Sequence, residues 1–142
     1  LQSGADYAIF GEKDYQQLLI IKSLVRDLDI PCQIIPINTV RDVNGLAISS
    51  RNQYLNSKQI HIANNINLVM NEAAKNFYDI DIKETISIIR KNLENIGIDK
   101  IDYIEIRDSH NLEKISNHDK SNARLFIAVY INEVRLIDNI KL

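Results

Sequence analysis

The sequence predicts an α/β chain: part of a doubly wound parallel sheet, followed by a small α+β domain built on an antiparallel sheet. Three observations carry this expectation. Residues 6–37 run from a short apolar stretch through an amphipathic one to a second apolar stretch, the pattern of a strand–helix–strand unit with a right-handed crossover. Residues 56–97 then hold two stretches with apolar positions every three or four residues, the helical period. Residues 101–138 hold apolar runs, one strictly alternating, closed by turn-forming residues, as in an antiparallel sheet with one face on a core. The expected domains are 1–38 and 39–142.

The elements follow in order. Leu1–Gly4 lead almost directly into Asp6–Phe10, a buried strand ending at Gly11. Asp14 stands where a carboxylate can accept the unpaired N–H groups of a helix start. Leu18, Ile21, Leu24 and Leu28 form that helix's stripe, widened by Leu19, Ile20 and Val25, and Asp29-Ile30-Pro31 ends it. Cys32–Ile37 reads as the second strand. A parallel pair needs more neighbours and helices on both faces, so the expectation is a larger sheet that these residues represent in part. Asn44-Gly45 predicts a type I′ hairpin turn between 39–41 and 46–48. Asn56 or Ser57 caps a helix on Ile60, Ala63, Ile66, Met70, Ala73 and Phe77. Asp81 with Glu84 predicts a capping box for a helix on Ile82, Ile86, Ile89, Leu93 and Ile96, closed by Gly97. Strands follow at 101–107, with Ile104 and Ile106 on one face, at 124–131 and from Val134, across an Asn132-Glu133 turn.

Composition bounds the function. The 142 residues suit one compact domain or two small ones, and 45% hydrophobic with 25% charged residues is ordinary for a globular protein. A net charge of -2 and a pI near 5.9 offer no general attraction to nucleic acid or anionic membrane. No apolar run approaches the roughly 20 residues that span a bilayer. The single cysteine, Cys32, excludes an internal disulfide framework and Cys-rich metal sites. The expected compartment is the cytoplasm. Cys32 reads as a small core residue, and His61, His110 and His118 lack partners at metal-ligand spacing, so no metal ligand is predicted on the chain.

Two short segments could carry chemistry. Gly11-Glu12-Lys13-Asp14 lies where a strand ends and a helix begins, the edge at which open α/β sheets bind ligands. Glycine admits close approach to the backbone, the helix start offers N–H groups, and lysine can meet phosphate as a point charge. Taken alone, the run favours a solvated turn with a helix cap. Ser49-Ser50-Arg51 sets two hydroxyls beside a guanidinium, a set that can hold polyphosphate. Alone, it favours a polar loop before the next helix.

Together the segments weigh more. Phe10–Leu18 (F-G-E-K-D-Y-Q-Q-L), Arg41–Leu55 (R-D-V-N-G-L-A-I-S-S-R-N-Q-Y-L) and Val134–Asn139 (V-R-L-I-D-N) resemble, in sequence and spacing, motifs of the pantoate–β-alanine ligase family. The resemblance covers essentially the whole chain and corresponds to the carboxy-terminal half of such an enzyme. It implies a Rossmann-like, nucleotidylyltransferase-type sheet and an ATP-dependent ligase of pantothenate biosynthesis, on the coenzyme A pathway. It implies that pantoate attacks the α-phosphate of ATP, with Mg2+ present, to give pantoyl adenylate, and that β-alanine then displaces AMP. It implies that Gly11, Glu12, Lys13 and Asp14 line the nucleotide site, that Val40 touches the nucleotide, and that Gln17 holds pantoate. It implies that Ile48, Ser49, Ser50 and Arg51 form a mobile phosphate-binding segment, with Lys13, Ser49, Ser50 and Arg51 serving catalysis, and that the protein is a homodimer. The family's glycine-rich turn with paired histidines does not occur in these residues, so the chain is expected to carry part of an active site and to be inactive alone. The competing readings are a related nucleotidylyltransferase and a non-catalytic folding or dimerisation module.

Overall fold

The computed structural model describes residues 4–142; residues 1–3, read above as the lead into the first strand, lie outside the described residues. The chain divides into two compact units, Leu1–Val40 and Arg41–Leu142.

In the first unit, strand β1 (Tyr7–Gly11) and strand β2 (Gln33–Ile37) pair in parallel, Tyr7 opposite Gln33 and Gly11 opposite Ile37. Helix α1 (Tyr15–Asp27) connects them, entered through a 3₁₀ turn at Glu12–Asp14. The strand–helix–strand reading holds, with three corrections. Strand β1, expected to be buried, has no buried residue, and Tyr7 and Ile9 are largely exposed, because among the described residues only one strand lies beside it. Asp14 makes no capping bond. Its backbone, at φ -92 and ψ 62, is not extended, so the carboxylate is not swung back over the first helical N–H groups. The apolar stripe of α1 is also less buried than its sequence suggests. Leu18 is buried, but Ile20, Leu24 and Leu28 are 67%, 50% and 62% exposed. A sheet of two strands is too narrow to cover so wide a stripe.

The carboxyl end of α1 hides an unexpected device. Asp29 takes φ 48, and the N–H groups of Asp29 and Ile30 donate back to Arg26 and Val25. That is a Schellman ending with aspartate at the left-handed position glycine usually occupies.

The second unit is a three-stranded antiparallel sheet, strands β3 (Lys100–Asp108), β4 (Ala123–Ile131) and β5 (Val134–Lys141) in that order. Helices α2 (Ser57–Lys75) and α3 (Ile82–Asn95) precede it in the chain. Ala63, Ile66, Met70 and Phe77 from the α2 region, Ile89 and Leu93 from α3, and Ile104, Ile106, Leu125, Ile127 and Val129 from the sheet share one core. The helical and alternating spacings of the sequence therefore converge on a single apolar interior. Gly97, at φ 94, closes α3 in a Schellman motif, with the Ile98 N–H donating to the Leu93 carbonyl. Both of those side chains are buried.

Two local expectations are revised, and a third, the Asn132-Glu133 turn, holds. The Asn44-Gly45 turn is not type I′: Gly45 has φ 89, but Asn44 is not at positive φ. Asp42 decides this, because its Oδ1 accepts from the N–H groups of Asn44 (2.8 Å) and Leu46 (3.0 Å) and winds the loop from its start. A capping box forms at Asn56 and Gln59, not at Asp81 and Glu84. Asp81 caps α3 by accepting from the Lys83 N–H, and the free N–H of the first helical residue, Ile82, donates to Asn117 Oδ1 at 2.9 Å. The turn from β4 to β5 uses Asn132 at φ 52, its N–H donating to the Asp99 carboxylate. Asparagine tolerates that conformation, so no glycine is needed.

Candidate functional site

The predicted site residues fall into two groups, one in each unit. Gly11 ends β1, Glu12, Lys13 and Asp14 form the 3₁₀ turn, and Gln17 lies exposed in the first turn of α1. This is the carboxyl edge of a parallel sheet passing into a helix, where backbone N–H groups and the positive end of the helix face a ligand. Gly11 is extended, at φ -71 and ψ 140, a conformation open to any residue. A Cβ built there would meet nothing within 4 Å. Neither backbone strain nor packing among the described residues calls for glycine at this position. What the missing side chain leaves is open space against the backbone at the end of the strand. Val40, 63% exposed, is the last residue of this unit.

In the second unit, Ile48, Ser50 and Arg51 are exposed and Ser49 is half-buried. A 3₁₀ turn spans Ser50–Tyr54, and the Ser49 hydroxyl caps it by accepting from the Arg51 N–H at 3.2 Å. Ser49 thus has a structural task beside any functional one. The exposed tip stands between two anchors. Before it, Leu46 and Ala47 are buried at 7% and 4% exposure; after it, Leu55 is buried at 7%. Asn52 Nδ2 donates to the Ala47 carbonyl at 3.1 Å and ties the two flanks together.

Residue-level reading missed the partner of Arg41. Its guanidinium donates through Nη1 and Nη2 to the two Asp138 carboxylate oxygens, at 2.6 and 2.8 Å. The signal was within reach, since Arg41 and Asp138 both fall inside motifs that carried the resemblance. Nothing in the spacing told that they meet. Among the described residues, no cluster of three or more His, Cys, Asp or Glu side chains is placed to hold a metal ion. No helix among the described residues is long and apolar enough to cross a membrane.

The sequence pattern of the family described as Pantoate-beta-alanine ligase matches residues 2–141. The chain belongs to that family. A pantothenate synthetase of Ruegeria sp. (strain TM1040) is 43% identical over 141 residues, covering 99% of this chain and 50% of the relative. One from Enterococcus faecalis is 42% identical over 137 residues, covering 95% of this chain and 48% of its own. The chain thus spans about half the length of the curated pantoate–β-alanine ligase relatives it matches. The fold agrees: a crystal structure of pantothenate synthetase from Thermus thermophilus superimposes with a TM-score of 0.87 at 33% identity, over 96% of this chain and 49% of that one. A pantoate–β-alanine ligase from Francisella tularensis, described as complexed with β-γ ATP and β-alanine, does so with a TM-score of 0.68 at 35% identity, over 96% of this chain and 43% of that one.

Proposed function

We propose that the protein carrying this chain condenses pantoate with β-alanine to pantothenate at the expense of ATP, through a pantoyl adenylate. The observation that carries the reading is the family match over residues 2–141. It is supported by the open space at Gly11 and the exposed Ser50 and Arg51 beyond a buried anchor.

In this reading a pantoate carboxylate oxygen attacks the α-phosphorus of ATP, and the bond to the bridging oxygen breaks to release pyrophosphate. The β-alanine amine then attacks the acyl carbon, and AMP leaves. Such transfers need positioning and charge stabilisation more than a covalent nucleophile. Gly11, Glu12, Lys13 and Asp14 line the nucleotide, with Gly11 admitting it close to the backbone and Lys13 meeting the phosphates. Val40 and Ile48 touch the nucleotide from their own segments. Ser49, Ser50 and Arg51 donate to phosphate oxygens on which charge develops, and Gln17 orients pantoate without taking its proton. Magnesium, which the family resemblance implies, finds no ligand set among the described residues, and no step is assigned to it. The working assembly in this reading is a homodimer in the cytoplasm.

The test uses the full-length protein that contains this chain. Replacing Lys13 or Arg51 with alanine removes one donor to developing phosphate charge, a loss of about 3 kcal/mol. Pyrophosphate release should fall by roughly two orders of magnitude, while the unfolding midpoint stays put. Normal release from Lys13→Ala would remove that residue from the site. Omitting β-alanine should leave pyrophosphate release to a single turnover and abolish AMP release; sustained pyrophosphate release without β-alanine, with the AMP group transferred to another acceptor, would point to the sibling transferases instead.

A further inference from the structure

We infer that Arg41 and Asp138 form a positioning pair that holds the Ser49–Arg51 segment in place from the antiparallel sheet. The inference rests on the proposed role of that segment in meeting phosphate, and it concerns residues that touch no substrate themselves.

Asp138 sits on β5 opposite Ile127 of β4. It is 7% exposed, on a strand whose neighbour Ile127 is 1% exposed. Its carboxylate is fixed twice. Oδ1 accepts from the Asn139 N–H at 2.8 Å, and both oxygens accept from the Arg41 guanidinium at 2.6 and 2.8 Å. Paired two-point contacts of this kind set orientation as well as distance. The same guanidinium reaches forward along the chain: Arg41 Nη1 also donates to the Gly45 carbonyl at 3.1 Å. One side chain therefore joins a core strand to the far end of the 42–45 turn.

The turn itself leaves little slack. The Asp42 N–H donates to the Leu46 carbonyl and the Gly45 N–H to the Asp42 carbonyl, at 2.9 and 3.0 Å. Asp42 Oδ1 holds the Asn44 and Leu46 N–H groups. Gly45, at φ 89, presses against Asn67 of α2, where a Cβ would come within 3.3 Å of Oδ1. Ser49 follows Gly45 by four residues, with the buried Leu46 and Ala47 between them. Position set at Arg41 is thus carried to Ser49 and Arg51 through bonded, packed backbone. A purely stabilising ion pair would not need the third bond to Gly45.

The experiment compares four forms of the full-length protein containing this chain: unaltered, Arg41→Gln, Asp138→Asn, and the apolar pair Arg41→Met with Asp138→Leu. Arg41→Gln leaves the Asp138 carboxylate buried and uncompensated, and Asp138→Asn removes the charge opposite a half-buried Arg41, so the single variants lose global stability as well. A well-packed apolar pair can restore stability, but it cannot reach the Gly45 carbonyl. In the apolar pair the unfolding midpoint should return towards the unaltered value and β4 amides should exchange as before. Amides of residues 42–52 should exchange about tenfold faster, as a locally opened segment does. The kcat of pyrophosphate release should fall roughly 10- to 100-fold, with a smaller change in KM for ATP, as misplacement of a positioned group predicts. Unchanged exchange in residues 42–52, or full kcat with restored stability, overturns the inference. Should the apolar pair fail to fold, Asp138→Asn undergoes the same exchange measurement, and unchanged exchange in residues 42–52 overturns the inference there too. If the unaltered protein releases no pyrophosphate, the proposed function fails, and the exchange measurement still decides whether the pair holds the segment.

Discussion

At Gly11 a methyl group would meet nothing within 4 Å, on a backbone whose φ of -71 suits any residue. Gly→Ala at such a position restricts the unfolded chain and is expected to be neutral or to stabilise by about 0.4–1 kcal/mol. A bound nucleotide lying against this backbone would instead collide with the methyl group. Gly11→Ala in the full-length protein should therefore keep or raise its unfolding midpoint while ATP binding, followed by calorimetry, weakens at least tenfold. Unaltered ATP affinity would show that the space beside Gly11 is empty in function too. Gly45 answers differently, since its φ of 89 strains any side chain and a Cβ there would crowd Asn67 Oδ1 at 3.3 Å. One glycine serves the fold and the other leaves room, a distinction that residue type alone does not express.

At the scale of elements, the start of α3 depends on a residue far along the chain. The Lys83 N–H and, opposing desolvation, the Asn117 amide hold the Asp81 carboxyl below its ordinary range. A carboxyl depressed on folding contributes stability that is fully present above its unfolded pKa, about 3.9, and is lost as pH falls through the folded value. The cap should thus be intact at neutral pH and fail only in acid. Asp81→Asn retains an acceptor for the helix N–H and carries no titrating group. Its unfolding midpoint at pH 7 should stay near the unaltered value, while its fall below about pH 4 becomes shallower; an identical acid limb in both proteins would contradict this account. The local reading found the cap at Asp81 but assigned the second arm to Glu84, the nearest residue of the right chemistry. Asn117 instead accepts from the Ile82 N–H and donates to the Asp81 carboxylate, because the loop between β3 and β4 returns over the helix start, which no local pattern records.

For the whole molecule, the two units differ in how much core they own. Among the described residues, Leu18 is the buried apolar side chain of the first unit, while the continuous core from Leu46 to Leu136 belongs to the second. A parallel pair of strands with one helix is marginal by itself, whereas three strands packed on helices can stand alone. Residues 41–142 expressed separately should unfold in a single cooperative transition by circular dichroism. Residues 1–40 should show none. A cooperative transition in the smaller piece would mean that α1 and its two strands hold more than their burial suggests.

The sequence by itself determined the element types and, in the second unit, most of the residues that make the core. Period-two and three-four apolar spacings need only neighbours along the chain, so Ile89, Leu93, Ile104 and Ile106 were legible as buried positions, and they are. The family motifs were legible in the same way, as continuous runs. Tertiary structure alone decided the pairing of Arg41 with Asp138, the second arm of the α3 cap, and how little of α1 is covered. The first two join residues 97 and 35 positions apart. Such meetings depend on strand register and on where loops return, and the third depends on how many strands lie beneath the helix. Each is a property of closure in space, and the residues that satisfy it carry no local mark of their partners.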